Sequence, residues 1–490
     1  MLLSEESRET RLRTALPHWL VLIPVVALAC LFRVLNLSPD LPFMHHPDEP
    51  TNLRTIDAMV ANGDPNPHFF NYPSLFLYLN ALVHFDGPLL GWIPGLAESA
   101  PVTATTGVSF AQTPAAITVH RLLTVVFGLA VVVVGWATAR RLTTAALPPV
   151  VTAALLALSP TLVAHSTLVT PDMLAVLFVG LGVLCAVWVH QSGSWWSYLV
   201  AGAMVGLAAS AKYTAVLVAV PLVVAAALAG RRAALLRLPA AGGVALAAFL
   251  ATTPFALLDR EEFLADVEFE RRHYATGHDG MEGDTLGFYA DWLVGREGVV
   301  ALAAVAGLVA VALLMREKWR IAAILLAFPV VYSASVSMQV VRNDRTIMLI
   351  LPPLAVLAAF LVERVRWPAA VAAAVALAVT APAALPQRGP TTWTSAREWL
   401  NQRPASTVLI ESYSPYVDPE RHEVLDRVRL IDGPVPPGTD YVVASEGMYG
   451  RYLTGDHPEE ERAYRSLFAR WPEVARFTGN GPTIVVLRVP

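Results

Sequence analysis

Eleven apolar stretches, each long enough to cross a bilayer or close to it, recur along this 490-residue chain. They fall at 17–36, 117–139, 145–164, 171–190, 196–211, 213–229, 238–257, 297–315, 320–338, 347–363 and 367–386, against the roughly 20 apolar residues that a spanning helix needs. Since 55% of residues are hydrophobic and only 15% charged, a water-soluble globular fold is excluded. The expected fold is therefore an α-helical polytopic membrane protein. Its first stretch reads as a retained signal anchor, because Asn36-Leu37-Ser38-Pro39-Asp40 offers no small-x-small cleavage site. Cys30 and Cys185 lie inside apolar runs and read as packing residues rather than a disulfide or metal pair.

An odd number of spans puts the two ends on opposite sides, and arginine clusters choose which. With the N-terminus inside, the inner segments hold Arg8, Arg11 and Arg13; Arg140 and Arg141; Arg231, Arg232 and Arg237; Arg316, Lys318 and Arg320; and Arg364 and Arg366. The outer segments are then 37–116, 165–170, 258–296 and 387–490. The apolar run that begins at Tyr72-Pro73-Ser74-Leu75 is broken by Asp86-Gly87-Pro88, which suits an interfacial or re-entrant segment better than a span. Residues 1–16 are expected on the inner side, 17–386 as the membrane module, and 387–490 as a small outer α/β domain. In that domain Ser395–Asn401 and Pro458–Arg470 read as helices, and the runs at Thr407, Tyr441 and Thr483 as strands. The formal net charge of −4 and the lack of a basic stripe argue against a nucleic-acid partner.

The ionisable residues at the outer ends of these spans are the candidates for chemistry, because charge near a bilayer core is costly. His46-Pro47-Asp48-Glu49 opens a surface helix over 50–62, with Leu53, Ile56, Met59 and Val60 at helical spacing and Gly63 as its stop. Acids at a helix start are ordinary partners of the helix dipole, and adjacent helical residues diverge, so only one of Asp48 and Glu49 fits the role of a base. Asp172 follows Pro171 at the same outer level. Lys212, one of two lysines in the chain, has the character of a phosphate-binding point charge, with a snorkelling helix-end lysine as its ordinary reading. Arg342 and Arg345 flank Asn343-Asp344 and suit phosphate oxygens, or a local ion pair with Asp344. Arg271-Arg272-His273-Tyr274 and Gly277-His278-Asp279 read mainly as a solvated charged face. His45, His46, His68, Asp48 and Glu49 could together form a divalent-metal site, but they lack a recognised ligand spacing, so the expectation is no cofactor, with a metal site as the alternative.

Taken in order and on one side, these pieces resemble the GT-C superfamily of membrane glycosyltransferases, in the branch of protein O-mannosyltransferases and bacterial aminoarabinose transferases. The resemblance covers the layout of 17–386. It rests on His46-Pro47-Asp48-Glu49, Asn71-Tyr72-Pro73-Ser74-Leu75, Thr170-Pro171-Asp172-Met173, Ala211-Lys212-Tyr213-Thr214, and Arg345 followed by Leu351-Pro352-Pro353. It implies inverting transfer of a sugar from a polyprenyl-phosphate carrier to an acceptor hydroxyl at the outer face of a bacterial plasma membrane. Asp48 is then the base and Glu49 its support, with His46, Tyr72, Asp172, Lys212, Tyr213, Arg342 and Arg345 around the substrates. A transporter or flippase for a lipid-linked sugar is the rival, although such proteins place charges near the midplane and carry internal repeats. A third reading makes 387–490 a partner-binding domain.

Overall fold

The computed structural model describes residues 18–37, 40–84, 101–103, 109–111, 114–230, 232–385 and 389–490. The inner segment with Arg8, Arg11 and Arg13, the Asp86-Gly87-Pro88 break and Arg231 lie outside the described residues. Helix occurs in every one of the eleven apolar stretches. By length and composition, four helices among the described residues suffice to cross a membrane: Pro114–Leu142, Asp172–Ser192, Arg316–Ser337 and Asp344–Val365. A fifth span is counted if Thr285–Gly295 and Gly298–Leu314, bent by 91°, are taken together. The remaining apolar helices are shorter, so the count of eleven full-length spans is not reproduced as such. Prolines and glycines divide the runs: 145–164, for instance, becomes Leu147–Ala157 and Pro160–His165 around Ser159-Pro160.

Close packing takes over from the hydrophobic effect where helices meet in an apolar medium. Gly202 and Gly206 lie one helical turn apart on Trp195–Ala211 and face the backbone of Ala234–Thr252. A Cβ at either would collide with the carbonyl oxygen of Ala241 or Ala245, so the two helices approach nearly backbone to backbone. The segment Leu351–Val365 is buried along most of its length and forms the centre of the bundle. Arg33 is wholly buried in Leu22–Leu35. Its guanidinium donates to Ser166 Oγ at 3.0 Å and to the carbonyls of Ala29 and Ala157 at 3.1 Å, which is how a buried cation is tolerated.

Helix Asp48–Asn62 forms as the apolar spacing predicts and stops at Gly63, whose left-handed φ of 63° lets its N–H return to the last turn. Leu75–Val83 is nine residues long, about 14 Å at 1.5 Å per residue. It is too short to span and packs beside Asp48–Asn62.

The C-terminal domain is a five-stranded mixed sheet. Its order is Glu423–Arg427, Thr407–Glu411, Tyr441–Ser445, Ile484–Arg488, Glu473–Phe477. The first three strands run parallel and the last two pair antiparallel. Helix Thr392–Asn401 covers one face, through Ala396 and Leu400 on Val408, Ile410 and Val443. Helix Pro458–Arg470 covers the other, through Tyr464 near Leu409, Val442 and Val485. The two edge strands were not among those read from the sequence. They are charged and half exposed, as edge strands usually are, and so carry no apolar signal.

Two sets of contacts clamp this domain to the loops at one end of the bundle. On one side Asp40 accepts from Thr391 at 3.0 Å and from Thr394, and pairs with Arg397 at 3.4 Å. His45 stacks on Trp393 with ring centroids 4.0 Å apart, and Phe43 stacks on Tyr416. On the other side Arg342 pairs with Asp456 at 2.6 Å, and Arg451 donates to the Asp279 carbonyl at 3.0 Å.

Candidate active site

Asp48 stands in the first turn of its helix, directly after Pro47, and its backbone N–H donates to His46 Nδ1 at 3.3 Å. Its carboxylate accepts from the Tyr72 hydroxyl at 2.8 Å and is in direct contact with the Arg345 guanidinium. Arg345 is held in turn by a short helix, Asp344–Ile347, capped by the Asn343 side chain on the Thr346 N–H at 2.9 Å. Residues 297 positions apart in sequence thus meet in one ion pair. Both side chains remain about one-fifth exposed, because the pair opens into a cavity. Burial alone would raise the Asp48 carboxyl, but the charge of Arg345, with His46 and Tyr72, holds it below the ordinary carboxylate range. Burial pushes the Tyr72 phenol well up, so it stays a donor, and pushes His46 down toward the neutral form.

The cavity has a volume of about 560 Å³. Its floor holds His46, Asp48, Tyr72, His165 and Arg345. One wall comes from the loop 258–296 through Glu270, His273, Tyr274, His278 and Asp279. Its roof is the C-terminal domain, through Ser412, Tyr413, Asp426, Val428, Met448 and Arg451. The stretch 271–279 is therefore split, contrary to the expectation of a mainly solvated face. Arg271 and Arg272 are exposed and pair with Glu268, while His273, Tyr274, His278 and Asp279 turn inward. A second cavity of about 400 Å³ adjoins the first, sharing His45, His46 and Tyr413.

Several predicted site residues face elsewhere. Glu49 is 1% exposed and fully engaged: both oxygens take Arg121 at 2.9 Å, and one also accepts the Val169 N–H at 3.1 Å. It lines the second cavity rather than the first. Lys212 is not a free phosphate ligand, since its ammonium lies 2.7 Å from Asp172 Oδ1 in a buried pair. That pair lies outside the cavity lining but within electrostatic reach of Arg345. The Tyr213 hydroxyl donates to the Phe70 carbonyl at 2.8 Å and so anchors the outer loop. Arg342 belongs to the interdomain clamp.

The loop at 66–71 is laced to helix Arg260–Thr276 by a row of acids. Asn66 donates to Asp259 at 2.8 Å, His68 Nδ1 lies 2.9 Å from Glu262, the Phe70 N–H donates to Asp266 at 2.7 Å, and Asn71 donates to Glu270 at 2.7 Å. Glu262, Asp266 and Glu270 recur every four residues and so share one helical face. Only the last reaches the cavity. His68, Asp259 and Glu262 are the one group among the described residues whose metal-ligand atoms lie within 4.8 Å of one another. None of His45, His46, Asp48 or Glu49 joins it.

Residues 109–257 match the family model described as dolichyl-phosphate-mannose-protein mannosyltransferase. That segment contains Asp172 and Lys212 but not Asp48 or Arg345. A search of the curated proteins finds no sequence match. Among solved structures, the fold is similar to ArnT from Cupriavidus metallidurans bound to undecaprenyl phosphate. The identity is 15% and the TM-score 0.58, covering 95% of this chain and 97% of that one. The apo form of the same protein gives 14% and 0.55. The apo oligosaccharyltransferase of Archaeoglobus fulgidus gives 11% identity and a TM-score of 0.53, covering 96% of this chain and 74% of that one. The resemblance to the GT-C superfamily of multi-pass membrane proteins is thus carried by both a family model and the fold.

Proposed function

We propose that this chain transfers a sugar from a polyprenyl-phosphate-linked donor to an acceptor hydroxyl, with inversion, at the outer face of a bacterial plasma membrane. The observation that carries this reading is the Asp48–Arg345–Tyr72 constellation, roofed by the C-terminal domain at the end of a membrane bundle. The mannosyltransferase family match and the undecaprenyl phosphate bound by the ArnT relative support the donor class. The arginine distribution supports the orientation.

In this reading the acceptor oxygen attacks the anomeric carbon while the carbon–oxygen bond to phosphate breaks. Arg345 takes up the charge gathering on the phosphate, as a preformed cation in a partly closed site does best. No general acid is required, because a phosphate is a good leaving group once its charge is met. Asp48 holds Arg345 in place until the donor arrives and faces the reacting sugar. The buried Lys212–Asp172 pair steadies the potential beneath Arg345. The acceptor's proton passes to a carboxylate of the cavity.

The test is direct. Purified protein in lipid nanodiscs is given a panel of radiolabelled polyprenyl-phosphate sugars with a membrane extract, and products are identified by mass spectrometry. Label transferred to a hydroxyl-bearing product supports the proposal. Movement of the intact sugar-lipid across vesicles, with no transfer, would establish the flippase reading instead.

A further inference from the structure

We propose that Glu270 is a second catalytic carboxylate of this cavity, the group that takes the proton from the acceptor hydroxyl. This rests on the transferase reading above. Two neighbouring residues of one loop each present one carboxylate to the same space: Tyr72 donates to Asp48 at 2.8 Å and Asn71 donates to Glu270 at 2.7 Å. The two acids are otherwise unlike. Asp48 is in direct contact with a guanidinium, and a carboxylate in that contact has little affinity for a proton.

Glu270 has no ion-pair partner among the described residues. Asn71 occupies Oε1 only, and Glu270 lines the cavity. The charged and titratable groups that act on it are His273 and Arg345, which favour its anion, and Asp48, which opposes it. Burial outweighs these and raises the Glu270 carboxyl above its ordinary value, toward the range in which a base is effective. Environments that drive two carboxyls of one site apart are a recurring way to divide their labour.

The step balances without any further reactant. The acceptor oxygen forms its bond to the anomeric carbon, the pair of the broken bond leaves with the phosphate oxygen beside Arg345, and the hydroxyl proton passes to Glu270. It then leaves through the cavity. Asp48 keeps the cation in place rather than taking the proton itself.

Glu270 also ends the acidic row that laces the loop 66–71, so a purely structural role has to be separated from a catalytic one. The experiment compares E270Q, E270D and N71A in full-length protein across pH, at saturating donor, with thermal unfolding as a folding control. Wild-type kcat should rise with pH through an acid limb. E270Q should lose about 10²–10⁴-fold in kcat along with that limb, and E270D should recover part of both. N71A removes the lace but keeps the carboxylate, and should keep the limb. If N71A and E270Q lose activity equally with the limb intact in both, or if E270Q equals wild type, Glu270 is not the base. Wild-type protein inactive with every polyprenyl-phosphate sugar would overturn the transferase reading itself, a separate outcome.

Discussion

Asp48 and Glu49 are neighbours in the chain and strangers in the structure. Asp48 opens on the cavity, one-fifth exposed, against an arginine from the far end of the sequence. Glu49 turns about 100° around the helix into a buried layer beside the second cavity, where Arg121 and a backbone N–H fill its oxygens. One ion pair is accessible to ligand and the other is part of the framework. The difference teaches that an acidic dipeptide at a helix entrance is two separate devices: a carboxylate open to the cavity and the bolt that fixes its position.

The largest expected effect falls on the buried side. Glu49→Ala leaves Arg121 buried and unpaired, which costs about 3–5 kcal/mol. Thermal unfolding should shift far down, and an unchanged unfolding temperature would break the contrast. On the open side, Arg345→Ala removes the cation from Asp48 and should unfold below wild type, by less than Glu49→Ala because this pair is one-fifth exposed. While still folded it should lose on the order of 10²–10³ in turnover, the scale of a lost charge-stabilising donor. Full activity in that variant would remove the proposed phosphate ligand. Tyr72→Phe deletes one hydrogen bond to Asp48, a term of about 0.5–1.5 kcal/mol, and should slow turnover by roughly tenfold or less. Its kcat with saturating donor checks this.

The smallest effect on turnover belongs to Glu411, which does not line the cavity. It is the buried last residue of strand Thr407–Glu411, accepts from the Tyr464 hydroxyl at 2.6 Å and from the Ser445 and Leu430 N–H groups, and burial pushes its carboxyl up to about 8. The folded domain therefore holds a proton that the unfolded chain releases near 4.5. Stability from this group is full below about 4.5 and is lost as pH rises through about 8. Glu411→Gln should flatten that dependence in pH-resolved unfolding, with kcat nearly unchanged. An unaltered slope would assign the pH sensitivity elsewhere.

The membrane helices and the interior strands were legible because apolar runs announce them. So was the grouping of His46, Asp48, Tyr72 and Arg345 on one side, since each sits at the end of a recognisable element. The partners of Lys212 and Arg342 were not legible because sequence shows a cation without its partner: Asp172 is 40 positions from Lys212 and Asp456 is 114 from Arg342. Glu270 was missed because its helix is densely charged and reads as a solvated face. The repeat of acids at 262, 266 and 270 was the available signal, and it says only that one face of that helix is committed. The edge strands carried no signal in their own residues. Their existence follows from pairing, which is a property of the sheet.

The clamped roof has a consequence for how this protein comes into being. Ribosomes deliver the floor of the cavity first and its roof last, since Asp48, Tyr72 and Arg345 precede residues 389–490. Until residues 389–490 are made, the Asp48–Arg345 pair lacks Arg451, Asp426 and Tyr413 above it. A chain halted before residue 389 should insert and still retain a phosphate-bearing lipid at Arg345, yet turn over no acceptor, as pull-down and product assays on that truncation can show. Synthesis of residues 389–490, rather than of the membrane helices, is then the event that makes the chamber.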